Sequence, residues 1–210
     1  MATITGLKLN KNRKRVSIFA DGVPKLTVSR DVILKAGLRK DQELTKNQFL
    51  ELQEADSWQQ CFDAALDFLS YRPRSESEVK QRLHKRGFNP EVINNVVTKL
   101  YENNLINDKV FALYWKNNRE DFNPRSRSVV KHELLLKGVT REIADEIVSE
   151  MDEEQNAYSA AVKKARVLRD KTYEEFRNRL YNYLKWRGFK FDIIARVTER
   201  LWQEPEASSR

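Results

Sequence analysis

Leu83-His84-Lys85-Arg86-Gly87-Phe88, Leu134-Leu135-Leu136-Lys137-Gly138-Val139 and Leu184-Lys185-Trp186-Arg187-Gly188-Phe189 follow one pattern, Leu-x-x-x-Gly-Φ with Φ apolar, and their glycines stand 51 and 50 residues apart. The agreement extends outward on both sides. Apolar residues recur five, nine and thirteen positions after each glycine: Val92, Val96, Leu100; Ile143, Ile147, Met151; Ile193, Val197, Leu201. Val79, Val130 and Leu180 lie eight positions before it. Steps of four keep side chains on one face of a helix, and glycine ends helices by entering a left-handed conformation. The pattern therefore reads as helix, glycine stop, apolar residue folded back, helix.

An earlier helix, over 61–71, 110–118 and 157–169, completes each copy as a three-helix module. Local start signals agree. Ser75 with Glu78 follows the restricted Arg72-Pro73 step, Ser126 follows Asn123-Pro124, and Thr172 pairs with Glu175. Pro90 suits a first helical turn. The longer run from Thr172 to Gly188 predicts a longer middle helix in the third copy. The expected modules are 58–107, 108–153 and 154–204, with 205–210 a disordered tail. Modules of about 50 residues are too small to be stable alone, so neighbour packing is expected to build an elongated, curved array.

The first 57 residues differ in kind. Thr3 to Lys8 read as a strand, Val16 and Ile18 begin a second, Asp21-Gly22 supplies a turn, and Leu26 and Val28 continue the alternation. Ser29 and Gly37 bound a short helix with Val32, Ile33 and Leu34. Thr45 and Gln48 form a capping box for another helix through Phe49, Leu50 and Leu52, with Asp56 near its exit. Residues 1–57 are thus an accessory domain with a small antiparallel sheet and two helices, and the fold class is mainly α.

The chain has 210 residues, and 39 Lys and Arg against 31 Asp and Glu give it a net charge of +8, which favours polyanions or acidic grooves as partners. The single cysteine, Cys61, precedes the apolar set Phe62, Ala65, Leu66 and Leu69 and reads as a buried thiol. No apolar run is long enough to cross a membrane, and the expectation is a cytoplasmic protein. HExxH, Walker and Rossmann motifs are missing, and one Cys with two His gives little material for a metal site. Neither cofactor, metal nor catalysis is expected. A magnesium nuclease built from distant acids is the weakest competing reading.

Ala64-Ala65-Leu66-Asp67-Phe68-Leu69-Ser70-Tyr71-Arg72-Pro73-Arg74-Ser75, then Glu78, Leu83, Arg86, Gly87 and Phe88, resembles the RecX regulatory protein family. Val92-Ile93, Val96, Leu100, Asn104-Leu105-Ile106-Asn107-Asp108, Phe111-Ala112, Pro124-Arg125-Ser126, Glu133-Leu134, Lys137-Gly138-Val139 and Ile143 continue the likeness. It extends over about residues 58–203, and the third copy keeps Leu184, Arg187, Gly188 and Phe189. The resemblance implies a bacterial modulator, usually an inhibitor, of the RecA recombinase; the elongated array is expected to act as a monomer. Such a protein would lie in the groove of the RecA filament on single-stranded DNA and bridge protomers, altering ATP turnover, strand exchange, recombinational repair and the SOS response. Double-stranded DNA is a further candidate partner.

The candidate contact residues are Arg72, Arg74, Lys80, Lys85 and Arg86 in the first module, with Arg82 beside them; Arg125, Arg127 and Lys131 in the second; and Lys163, Lys164, Arg177, Lys185 and Arg187 in the third. Residues 163–196 hold eleven Lys or Arg against four Asp or Glu, whereas 108–151 are balanced at eight each. The third module is therefore the leading contact surface, for DNA phosphates or an acidic stretch of RecA. Lys11, Arg13, Lys14 and Arg15 form a further basic run. Solvated helix faces are the plain alternative for all of them, and a DNA-binding architectural protein is the competing function. Phe88, Trp115, Trp186, Phe189 and Trp202 are read mostly as packing between helices, with interface anchoring as their other use. His84 and His132 are read as exposed or capping.

Overall fold

The computed structural model describes residues 1–11 and 14–204, which form two compact units, one within 1–72 and 79–105 and the other within 73–78 and 106–204. Arg13 of the basic run and the expected tail at 205–210 lie outside the described residues.

The first unit opens with strands β1 (Ala2–Leu9), β2 (Arg15–Ala20) and β3 (Val23–Ser29), joined by β4 (Glu43–Leu44) in the antiparallel order β3-β2-β1-β4. Period-2 alternation buries Val16, Ile18 and Ala20 on one face. Asp21 and Gly22, both at positive φ (51° and 77°), close the β2–β3 hairpin in the sense that suits strand twist. The two-residue β4 is too short to leave an alternation in the sequence. Helix α1 (Arg30–Ala36) is capped by Ser29, whose hydroxyl accepts from Val32 N–H, and stopped by Gly37. Ile4, Ile18, Val28, Val32, Leu44 and Leu52 share the core of this part.

Helix α2 (Lys46–Leu69) corrects the expectation of two helices separated near Asp56. It runs 24 residues from a complete Thr45/Gln48 capping box and contains neither Gly nor Pro to interrupt it. Asp56 is no exit residue. It is buried in mid-helix and accepts from Ser29 N–H at 2.6 Å and Arg15 Nη2 at 2.8 Å, fastening the helix to the sheet. The apolar wall after Cys61 is also turned from the expected one: Cys61, Ala64 and Ala65 are buried while Leu66 is exposed. Helix α4 (Pro90–Glu102) starts at an Asn89 cap with Pro90 in its first turn, and buries Ile93, Val96, Val97 and Leu100. Between them runs α3 (Glu76–Lys85), which buries Val79 and Leu83.

In the second unit, α5 (Asp108–Phe122), α6 (Arg127–Leu136) and α7 (Arg141–Ser149) enclose Phe111, Val130, Leu134, Val139, Ile147 and Met151. Helices α8 (Glu153–Val167), α9 (Tyr173–Trp186) and α10 (Phe191–Gln203) enclose Phe176, Leu180, Leu184, Phe189, Val197 and Leu201. The chain is mainly α-helical and uses the three-helix module three times, as α2–α4, α5–α7 and α8–α10. Helix α9 has 14 residues against 10 in α3 and in α6, the lengthening expected from the Thr172 spacing.

The three breaks are one device. Gly87, Gly138 and Gly188 have φ of 83°, 81° and 88°. Each donates its N–H to the carbonyl three residues back, and the following apolar residue donates to the carbonyl of Leu83, Leu134 or Leu184. That double bond satisfies helix-end carbonyls and aims the next helix back across the first.

Candidate functional site

Two of these turns are docked on in the second unit. At the first junction, Ser75 Oγ donates to the Lys137 carbonyl at 2.6 Å while accepting from Glu78 N–H at 3.1 Å. A Cβ on Gly138 would stand 2.4 Å from Ser77 Cβ. At the second junction, Ser126 N–H donates to the Arg187 carbonyl at 3.2 Å, and a Cβ on Gly188 would stand 2.4 Å from Val129 Cγ2 and 2.6 Å from Ser126 Oγ. Ser75 and Ser126 are the same station of the repeat. Each caps its own helix and touches a glycine turn 50 residues or more away in sequence. Around Gly87, no described residue lies within 4 Å of the corresponding position.

The junctions bring the same two stations of the repeat together and differ in charge. At the first, Lys137 Nζ pairs with Glu78 at 3.0 Å and lies 4.1 Å from the centroid of the Trp115 ring. A second carboxylate, Glu133, accepts from Trp115 Nε1 and Arg119 Nε, each at 2.7 Å. At the second junction the cation is kept as Arg187, but the stations of the two acids are held by Val129 and Tyr183. Arg187 Cζ sits 3.8 Å from the Tyr183 ring centroid and 5.6 Å from that of Trp186, and Arg125 Cζ sits 4.5 Å from the Trp186 centroid. The Nε of each arginine is buried with no hydrogen-bond partner among the described residues. Burial holds the Arg187 guanidinium below the usual arginine range; the Tyr183 hydroxyl opposes that shift and the charge of Arg125 adds to it. Trp186 is 72% exposed.

The other candidate residues divide into engaged and unengaged cations. Arg127 donates Nε to the Met151 carbonyl at 2.8 Å, with Nη2 on the same oxygen, and so closes the end of the second module. Lys131 pairs with Asp145. Arg72, Arg74 and Lys80 are half-buried and engaged with neighbours, and Arg82 lies over Phe68. Arg15, from the N-terminal run, is held by Thr27 O and Asp56. In the third module Arg169 binds the carbonyls of Leu201, Trp202 and Glu204, and Arg196 pairs with Glu154. Lys85 and Arg86 are exposed beside Gly87, Lys163 is exposed and Lys164 is half-buried. Lys185 lies 5.4 Å from the Tyr181 ring centroid. Arg177 lines a cleft of about 990 Å³ along α9 and α10, with Tyr173, Tyr181, Phe191 and Thr198.

Among the aromatics, Phe189 is buried and Phe88, Trp115 and Trp202 are half-buried, but Trp186 is a correction to the packed reading. It stands at the end of α9, two residues before Gly188, the station at which the second module exposes Leu136. His84 and His132 are exposed. Cys61 is fully buried, and burial pushes its thiol up to about 11. No group of three or more His, Cys, Asp or Glu among the described residues is placed to hold a metal ion, and no helix among them is long and apolar enough to cross a membrane.

Sequence reasoning named Arg125 and Arg187 but not their convergence, because 62 positions separate them. The available signal was the loss of acids at aligned stations: Glu78 against Val129, and Glu133 against Tyr183.

Comparison with known proteins accords with this architecture. Residues 61–100 match the model of the first RecX three-helix domain, and residues 152–198 that of the third. The regulatory protein RecX of Bacillus velezensis is 33% identical over 193 residues, covering 90% of this chain and 73% of the relative. That of Bacillus subtilis is 32% identical over 197 residues, covering 92% and 75%. A crystal structure of regulatory protein RecX superposes with a TM-score of 0.73 over 95% of this chain and all of the other, at 22% identity, a likeness of fold. RecX from Lactobacillus salivarius gives 0.61 at 27% identity, over 70% of this chain and 97% of its own. With a relative above 30% identity matched over most of both chains, and with the helix–glycine–helix repeat in all three modules, the chain belongs to the RecX family of regulatory proteins.

Proposed function

We propose that this chain regulates the RecA recombinase by binding, not by catalysis. It acts as a cytoplasmic monomer that lies in the groove of the RecA filament on single-stranded DNA, bridges neighbouring protomers, and lowers ATP turnover and strand exchange. Recombinational repair and the SOS response are damped in consequence. The observation that carries the reading is family membership joined to a repeated junction within the second unit, where Ser75 and Ser126, at one station of the repeat, each donate to the carbonyl before a glycine turn. Lys85, Arg86, Lys163, Arg177, Lys185 and Arg187, whose side chains have no ion pair among the described residues, are the leading contacts. Arg127 and Lys131, being engaged inside the protein, are weaker ones.

The test is RecA ATPase on single-stranded DNA, with the chain added before or after filament assembly. Inhibition with intact DNA is expected, and charge reversal of Arg177, Lys185 and Arg187 should weaken filament binding. DNA binding without any effect on RecA would favour an architectural DNA-binding protein, the second reading, to which the acid-free second junction lends weight.

A further inference from the structure

We infer that the second junction is a binding site for single-stranded nucleic acid, in which Arg125 and Arg187 hold the phosphodiester backbone and Trp186 receives an unpaired base. The inference rests on the reading above only in taking this face to meet nucleic acid.

The first junction serves as the internal control. Both junctions share the capping serine, the glycine turn and a cation before the glycine. The first neutralises its cation with Glu78 and keeps Glu133 one turn away; the second has Val129 and Tyr183 there. Two like charges drawn together and partly removed from water without a counter-ion are unfavourable, and an entering anion relieves the repulsion. Arg125 and Arg187 are near enough for the charge of one to lower the affinity of the other for its proton, and no carboxylate is among the groups that shift Arg187. Holding a glycine turn does not require this arrangement, because the first junction brings the same two stations together with its Lys137 paired to Glu78.

The ligand class follows from donors and surroundings. A guanidinium offers a planar fork that matches two phosphate oxygens, with more specificity than an ammonium. The neighbouring Trp186 is 72% exposed although Arg125 lies over its ring. An exposed indole beside two arginines is a platform for a base, and base stacking on aromatics contributes about 1 to 3 kcal/mol. Bases in a duplex are already stacked and present no free face. An acidic peptide would pair with the arginines but leave the indole unused.

The experiment measures binding of a fluorescent oligo(dT) of about 16 nucleotides to the full chain without RecA, by anisotropy across a salt series. Arg125→Gln with Arg187→Gln should lower affinity about tenfold or more. It should also flatten the slope of log K against log salt by about 1.4, at roughly 0.7 per phosphate contact on single strands. Val129→Glu, which installs the acid of the first junction, should weaken binding with both arginines present. Trp186→Ala should lose about fivefold or more with the slope kept, and Lys137→Gln at the first junction should change little. Circular-dichroism melts establish that each variant is folded. Unchanged affinity and slope in both the arginine pair and Val129→Glu would overturn the site. Equal effects on a duplex of the same length would overturn the single-strand assignment, and displacement of the oligonucleotide by polyglutamate at matched charge would overturn the nucleic-acid assignment. RecA ATPase with the same variants separates the two claims. Lost inhibition with intact oligonucleotide binding refutes this site and spares the regulator, whereas weakened oligonucleotide binding alongside a wild-type chain that never inhibits RecA refutes the regulator and spares the site.

Discussion

Replacing Gly87, Gly138 and Gly188 one at a time by alanine separates two energetic terms that the three turns carry unequally. The first is common to all, since each glycine sits at φ between 81° and 88°, where an L side chain costs about 1 to 2 kcal/mol. The second is steric and belongs to the docked turns alone. A Cβ at Gly138 or Gly188 would meet a neighbour at 2.4 Å, well inside contact, whereas at Gly87 it would meet nothing within 4 Å. Forcing a carbon into a packed place costs about a further 1 to 3 kcal/mol. Gly87→Ala should therefore lose about 1 to 2 kcal/mol and the other two about 2 to 5. Urea unfolding followed by circular dichroism reads these losses as midpoint shifts at constant slope. Hydrogen exchange should place the excess opening in α6 for Gly138→Ala and in α9 for Gly188→Ala. Three equal losses would refute the claim that the second and third turns are docking surfaces and the first is not.

Two further outcomes are expected. Arg127→Ala should destabilise the fold by about 1 to 3 kcal/mol, because the buried end of the second module loses two bonds to the Met151 carbonyl; oligonucleotide affinity of the folded variant should be unchanged, and a tenfold loss would show Arg127 to be a contact instead. Native Cys61 should resist a disulfide reagent at pH 8 and react only as the chain unfolds. Its thiol is raised from 9.0 to about 11, so the unfolded chain ionises first as pH rises between those values, and stability should fall across that window and be independent of this group below it; rapid labelling of the native chain would contradict its burial.

The helical repeat was legible because its signal is local and tripled: a glycine that must be left-handed, and apolar residues every fourth position, depend on neighbours in sequence. The caps at Ser29, Thr45, Ser75, Ser126 and Thr172 were legible for the same reason. What escaped depends on partners remote in sequence. Asp56 looks like a polar linker residue until Arg15 and the Ser29 N–H, 41 and 27 positions away, converge on it. Arg127 and Lys131 looked like Lys85 and Arg86, since a charge pattern does not reveal which cations a carbonyl or carboxylate has already taken. Trp186 carries the ordinary mark of a core residue, but it stands two residues before the glycine, the station at which Leu136 is exposed as well.

The unbroken α2 helix has a practical bearing on how the accessory part is dissected. Its 24 residues make a rod of roughly 36 Å at 1.5 Å per residue, with the sheet anchored through Asp56 near its middle and the wall of the first module formed by Cys61, Ala64 and Ala65 farther along. A cut between Ser57 and Trp58 would saw through this shaft, discarding its capped end and leaving a ragged start without a cap. Deletions meant to isolate the modules should begin ahead of Thr45, so that the rod keeps its own beginning.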